Sequence, residues 1–223
     1  MINIVGLGAG DENQLTVGVI RQLQSGLPIY LRTDQHPMIG FFKKNNIPYT
    51  SFDSCYENHE TFEGVYEDII AKVKEAALKG DLIYATPGHP TVAEYTVKRL
   101  LAETKAQIIG GQSFLDPMFA GLGIDPIDGL QVMDALSFDV EGVNPRMHLI
   151  VPQVFDQMSA SNLKLDLMET YEDEYPICIV KAAGSAEASY EWKKLYELDH
   201  GFKLDNLTTI YVPPKGSVPH EIR

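Results

Sequence analysis

The sequence predicts an α/β protein of two domains, and three observations carry that expectation. Up to residue 113, short apolar runs alternate with helix-period segments and are separated by glycine loops. Residues 114–145 then turn rich in Pro, Gly and Asp. Apolar runs resume at 147–151, 177–180 and 208–212, with helical segments between them. Strand–helix alternation with short glycine loops marks a parallel sheet. The expected division is 1–114 for an N-terminal α/β domain, 115–213 for a second α/β domain, and 214–223 for a polar tail or linker. A chain of 223 residues has room for both.

Residues 2–7 read as a buried strand, and Thr16 is placed to cap a helix over about 16–25. Pro28–Leu31 is a short second strand. The best helical stripe is 62–79, where Phe62, Val65, Tyr66, Ile69, Ile70, Val73, Ala76 and Ala77 recur at helical steps and Lys79-Gly80-Asp81 ends the run. Leu82–Ala85 is the next strand, followed by the loop Thr86-Pro87-Gly88-His89-Pro90. A helix is expected over about 92–103 with Val92, Tyr95, Leu100 and Leu101 inward, and then a strand at 107–109 that stops at Gly110-Gly111. In the second part, helices are expected near 159–170 and 186–198.

The net charge of −13 disfavours nucleic acid and anionic membranes as partners. Lys43-Lys44 and Lys193-Lys194 are isolated basic pairs, read as solvated helix faces. No run is long enough to span a bilayer and no basic, apolar leader opens the chain, so a soluble, cytoplasmic protein is expected. Two cysteines make no disulfide framework, and Cys178 reads as a core thiol. The six histidines show no metal spacing, so no metal is expected.

The opening loop poses the functional question. Gly6 and Gly8 fit the start of a dinucleotide G-x-G-x-x-G fingerprint, but Asp11 stands where the third glycine belongs and would face the pyrophosphate. A P-loop is excluded, because no Gly-Lys-Ser/Thr is present. Glycines at strand ends still let backbone groups approach a ligand; the plainer reading of each is a tight turn.

Val5-Gly6-Leu7-Gly8-Ala9-Gly10-Asp11, followed by Leu15-Thr16, resembles the opening of the tetrapyrrole (corrin/porphyrin) methylase family. Gly80 to Pro90 resembles the family's second loop, and Ile109-Gly110-Gly111-Gln112-Ser113-Phe114 its third segment. His148–Pro152 and Pro176–Ala183 occupy the places of strands in the second domain, with an acidic helix start at Glu187. The resemblance covers about residues 1–213. Tyr30–Pro37, the Pro-Gly-His-Pro loop with Ala93-Glu94 after it, and Gly111–Pro117 look like the YabN-type branch, in which a methylase-like domain precedes a MazG nucleotide pyrophosphohydrolase domain. Nothing in the chain resembles the MazG part.

The resemblance implies a parallel-sheet N-terminal domain, a mixed-sheet C-terminal domain, and a cleft between them that holds S-adenosylmethionine (SAM) in a homodimer. Carried over residue by residue, the cofactor set is Gly88, His89, Val92, Ser113, Phe114, Pro152, Gln153, Ala182 and Gly184. The substrate side would be Gly8, Ala9, Gly10 and Asp11, with Arg32 and His36 added because they follow a strand whose end should open toward the cleft. Arg32 with His36 could take an acidic substrate; a salt bridge from Arg32 to Asp34 or Asp53 is the plainer alternative. Ala9 replaces the family's usual proline and His89 its common aspartate. His89 is either a cofactor-loop group or a loop histidine capping a helix.

The implied activity is methyl transfer from SAM to a small-molecule acceptor that the sequence does not specify. Such an in-line displacement needs chiefly the alignment of donor and acceptor, so no single catalytic residue is demanded. Asp11, His36 and His89 are the titratable candidates. The rival expectation is a non-catalytic or regulatory, ligand-binding dimerisation domain serving a MazG-type pyrophosphohydrolase.

Overall fold

The structure, a computed structural model, describes residues 1–217. Residues 218–223 of the expected polar tail lie outside the described residues. The chain falls into two compact units, Met1–Asp116 and Pro117 onward.

The first unit is a five-stranded parallel sheet in the order β3-β2-β4-β1-β5: β1 (Ile2–Gly6), β2 (Ile29–Leu31), β3 (Thr50–Ser51), β4 (Leu82–Thr86) and β5 (Ala106–Gly110). Every residue of β1 and β4 is buried, as a central parallel strand covered on both faces requires. Successive side chains supply the two faces. Ile2, Ile4, Leu82 and Tyr84 pack with α3 (Asp53–Asn58), α4 (Phe62–Ala77) and α5 (Tyr95–Glu103) through Cys55, Ile69, Val73, Val97 and Leu100. Val5, Ile83 and Ala85 pack with α1 (Val17–Leu23) and α2 (Ile39–Lys44) through Val19, Leu23 and Phe42. Thr16 caps α1 by accepting from Val19 N–H at 3.3 Å.

Three sequence expectations are corrected here. The helix expected at 92–103 starts at Tyr95, because Ala93 sits in the left-handed region at φ +54°. That late start shifts the buried stripe to Thr96, Val97 and Leu100, while Tyr95 and Leu101 face solvent and Val92 is half-buried outside the helix. Phe62, counted on the stripe of α4, is 69% exposed at the helix's first turn.

In the second unit a mixed sheet has the order β6-β7-β10-β8-β9: β6 (Leu130–Val132), β7 (His148–Pro152), β8 (Pro176–Lys181), β9 (Ser189–Lys194) and β10 (Thr208–Val212). Only β6 and β7 pair in parallel. One face buries Leu149, Val151, Ile177, Ile179, Ile210 and Val212 against Leu163 and Leu167 of α7 (Gln157–Met168). The helix expected at 186–198 is instead β9 followed by a 3-10 turn at Leu195–Glu197. Tyr190 and Trp192 alternate there with Glu191 and Lys193, a period of two, and pairing with β8 selects that period. The Pro/Gly/Asp-rich segment holds α6 (Leu115–Leu122), within which the two units divide, and 3-10 turns capped by Asp125, Asp134 and Asp139.

Candidate functional site

Because β1, β2, β4 and β5 are parallel, the loops that follow them leave the same carboxyl edge of the sheet, where ligands of open α/β sheets bind. Gly8 and Gly88 form an isolated antiparallel bridge: Gly8 N–H donates to Gly88 O at 3.2 Å, and Gly88 N–H to Gly8 O at 2.9 Å. Both residues have positive φ, +76° and +64°. A β-carbon on Gly6 would lie 2.2 Å from Gly88 O, and one on Gly111 would lie 2.6 Å from Gly6 Cα. The loops after β1, β4 and β5 therefore meet through glycine backbone, a contact no larger residue allows.

His36 ties the loop after β2 to this knot. Its Nδ1 accepts from Met38 N–H at 3.2 Å, which places the proton on Nε2, 3.0 Å from Gly8 O. Burial pushes the His36 pKa down, the Gly8 carbonyl opposes that only in part, and Arg32 adds to the depression. His36 is thus a neutral brace whose two ring nitrogens are both engaged.

Arg32 pairs with neither Asp34 nor Asp53, contrary to the plainer expectation. Its Nε lies 3.0 Å from Glu94 Oε1, off the N–H direction, and Nη1 donates to Tyr56 OH at 3.2 Å. Thr96 Oγ1 donates to Glu94 Oε2 at 3.3 Å and lies 2.9 Å from Tyr84 OH. Burial pushes the Glu94 carboxyl up; Arg32 and Thr96 only partly counter it. The Asp53 carboxylate instead fastens the turn after β2, accepting from Thr33 Oγ1 at 2.6 Å and from Asp34 N–H at 2.8 Å.

The remaining residues of the first unit are placed individually. Ala9 is half-buried and Gly10 buried. Asp11 is exposed, and its Oδ1 caps the following 3-10 turn through Asn13 N–H at 2.9 Å. His89 is half-buried, with Nδ1 2.9 Å from Thr91 Oγ1 and 3.2 Å from Thr91 N. Val92 N–H donates to His89 O at 3.0 Å and closes that turn. Ser113 opens α6 reciprocally: its N–H donates to Asp116 Oδ2 at 2.8 Å and its Oγ accepts from Leu115 N–H at 3.2 Å, with Phe114 half-buried beside it. Asp11, His36 and His89 share no hydrogen bond with one another among the described residues.

The second unit repeats the strand-end theme. β7 and β8 both run antiparallel to β10, so both end at one edge, where Pro152 pairs with Thr209 and Lys181 with Thr208. The chain turns sharply at both ends, through Gln153 at φ +67° and Ala182 at φ +47°, with Gly184 at +89°. Non-glycine residues in the left-handed region cost about 1–2 kcal/mol each and gather at functional sites. Gln153 Nε2 donates to Asp134 Oδ2 at 2.9 Å; Ala182 N–H donates to Leu207 O at 3.1 Å. Among the described residues four non-glycines have positive φ, and three of them, Ala93, Gln153 and Ala182, lie on the loops singled out from sequence.

Sequence reasoning missed Gly6 as a packing position, Glu94 as the ion partner of Arg32, and Thr96 and Tyr84 as the hydroxyls that line up behind Glu94. A glutamate at a helix start reads as a cap for the dipole, and no local pattern reveals its burial. Among the described residues, no group of three metal-ligating side chains is gathered.

Such a chain is, by class, a two-unit α/β protein whose glycine-built and left-handed loops present backbone at the ends of its strands. It belongs to the tetrapyrrole (corrin/porphyrin) methylase family, whose pattern matches residues 1–199. It is similar to the uncharacterised protein YabN of Bacillus subtilis (strain 168), 45% identical over 218 residues, which are 96% of this chain and 45% of that protein. The chain thus spans less than half the length of that relative. Among solved structures, cobalt precorrin-4 methyltransferase aligns with a TM-score of 0.71 at 12% identity over 95% of this chain and 94% of that one. The uroporphyrin-III C-methyltransferase of Thermus thermophilus, in complex with S-adenosylhomocysteine, gives 0.68 at 14% identity over 95% and 91%. Diphthine synthase gives 0.69 at 16% over 96% and 90%. At these identities the likeness is one of fold.

Proposed function

We propose that the chain is a SAM-dependent methyltransferase acting on a small-molecule acceptor. One observation carries the reading: of the residues drawn from the family resemblance, Gly8, Gly88, Gln153, Ala182 and Gly184 have left-handed backbone beside the strand ends, with Gly8 bonded to Gly88 in one unit and Gln153 and Ala182 following β7 and β8 in the other. Backbone turned sharply at the strand ends in this way suits close approach by the adenine and amino-acid ends of SAM. Gly88, His89, Val92, Ser113, Phe114, Pro152, Gln153, Ala182 and Gly184 would hold it. Gly8, Ala9, Gly10 and Asp11 would line the acceptor side.

When bound, SAM supplies an electrophilic methyl group on a sulfonium. The chain's task is then to orient the two reactants and exclude water. His36, neutral and engaged at both nitrogens, braces Gly8. Arg32, committed to Glu94 and Tyr56, anchors the β4–α5 connection. Neither is a general base in this reading. The finer assignment is to the YabN-type branch, as a cytoplasmic homodimer whose natural chain continues into a MazG pyrophosphohydrolase domain.

Calorimetric titration with SAM and S-adenosylhomocysteine, with NAD as control, tests the reading. Micromolar binding of either SAM-type ligand, reduced at least tenfold in Gly88→Val, is the expected result. Absence of binding up to millimolar SAM, with folded protein confirmed by circular dichroism, overturns it and moves the role to a regulatory domain.

A further inference from the structure

The loop between β4 and α5 is held at two anchors. At the near end Gly88 is bonded to Gly8 in both directions. The turn that follows is closed by Val92 N–H, which donates to His89 O at 3.0 Å. At the far end stands Glu94, in the capping position of α5 with φ −116°. Thr16, Thr61 and Asp156 occupy that position on α1, α4 and α7, and each accepts from a backbone N–H of its own first turn. Glu94 makes no such bond among the described residues. Short oxygen-bearing side chains are the ones that reach a helix's own first N–H groups, and glutamate is not among the favoured caps. The Glu94 side chain turns inward instead and is 6% exposed, with Oε1 3.0 Å from Arg32 Nε and Oε2 accepting from Thr96 Oγ1 at 3.3 Å.

Arg32 is itself fixed. Its backbone N–H donates to Ala85 O at 2.9 Å, next to the β2–β4 ladder, and Nη1 donates to Tyr56 OH on α3 at 3.2 Å. Glu94 is thereby tied to β2 and α3. Between the closed turn and this tie lies Ala93, exposed and left-handed at φ +54°. An alanine keeps that conformation only where its surroundings impose it. Gly88 is fixed before it and Glu94 after it, so the chain bends at Ala93 to satisfy both. The loop after β2 therefore serves both anchors, through His36 Nε2 at 3.0 Å from Gly8 O and through Arg32 against Glu94.

We propose that Glu94 is a positioning residue for SAM: its grip on Arg32 holds Ala93 left-handed and so fixes Gly88, His89 and Val92 in the arrangement that takes the cofactor. The inference rests on the methyltransferase reading. The strain is met once, on folding, so binding does not meet it again. With the grip released, Ala93 relaxes to the right-handed region, and SAM has to restore the strained form at the expense of affinity. Glycine adopts left-handed backbone without that strain, so Ala93→Gly should suppress the defect.

Two variants release the grip from opposite sides: Glu94→Ala leaves the Arg32 guanidinium in place, and Arg32→Met leaves the Glu94 carboxyl. Circular dichroism and urea unfolding establish that each is folded. Calorimetry should give SAM affinity about tenfold weaker in each, the equilibrium equivalent of one left-handed alanine. Adding Ala93→Gly to either should recover most of that loss. A merely structural role would lower the urea midpoint and leave no affinity for Ala93→Gly to restore. Hydrogen exchange reads the same device without ligand: the Val92 amide should exchange faster in both variants than in the wild type, with Ile210 on β10 as the unchanged reference. Wild-type SAM affinity in both folded variants overturns the proposal. So does a loss that Ala93→Gly leaves unrepaired in both, or wild-type exchange at Val92 in both. A wild type that takes up no SAM at millimolar ligand is a different failure: it overturns the methyltransferase reading, while faster Val92 exchange in the variants still shows the grip on the loop.

Discussion

An alanine at Gly6 tests the packing of the loop knot. Its β-carbon would fall 2.2 Å from the Gly88 carbonyl oxygen, 2.8 Å from Pro90 Cδ and 3.1 Å from Gly111 Cα. Ordinary contact begins near 3.4 Å, so the Gly88 carbonyl must retreat by about 1 Å. It is not free to do so, because Gly88 is bonded to Gly8 in both directions. Overpacking a close-packed site costs about 1–3 kcal/mol, and losing one bridge hydrogen bond adds about 1 kcal/mol. Gly6→Ala is therefore expected to lose about 3 kcal/mol, read from urea unfolding at constant m. Two other glycines separate sterics from conformation. Gly88→Ala meets nothing within 4 Å but keeps φ +64°, so left-handed strain alone, about 1–2 kcal/mol, is expected. Gly40→Ala lies on α2 with open space and no positive φ, and should stabilise by about 0.5–1 kcal/mol. The urea midpoints should rank Gly40→Ala, wild type, Gly88→Ala, Gly6→Ala from highest to lowest. A Gly6→Ala variant as stable as wild type, or less damaged than Gly88→Ala, would refute the account of the knot.

Two further predictions concern pH. His36 and His148 are held below their ordinary value by burial, so the unfolded chain takes up protons that the folded chain refuses. Their contribution is intact above an unfolded value of about 6.5 and is lost as pH falls below it, by at most about 1.4 kcal/mol each between pH 7.5 and 5.5. Urea midpoints at the two pH values should show the loss, and it should shrink in His148→Phe; a midpoint that rises toward pH 5.5 contradicts the assignment. At Asp199, burial pushes the pKa up. The Lys164 ammonium, with both carboxylate oxygens at 2.7 Å, and Ser161 Oγ at 2.8 Å outweigh burial and hold it at about 2 against an ordinary 3.8. The clamp contributes about 2 kcal/mol that is present above pH 4 and lost as pH falls through 2. Asp199→Asn should cost about that much at pH 7, where it also strands the Lys164 ammonium, and much less at pH 2; an equal cost at both pH values would show that charge is not the cause.

Parallel strands β1 and β4 were legible because both faces are covered, which leaves continuous apolar runs that need no partner to recognise. α4 was legible because its stripe repeats for several turns. α5 was located but misphased, since nothing local announces that Ala93 will turn left-handed. β9 was misread because a short segment holding Tyr190, Trp192 and Leu195 fits either period, and the pairing with β8 made the choice. At the candidate site, the loops were visible as glycine motifs. The states of their charged residues were not, since Arg32 found Glu94, which lies far along the chain, rather than its near neighbours Asp34 and Asp53.

By itself the sequence determined that two α/β units form and that glycine loops close the strands of the first, because strand burial, helical period and turn chemistry are written in adjacent residues. The tertiary structure alone decided that Gly6, Gly88 and Gly111 share one knot, that His36 is a neutral brace, and that the Trp192 N–H is buried without a partner among the described residues. Each of these depends on groups distant in the chain, and contact, desolvation and charge pairing exist only once the fold has brought such groups together.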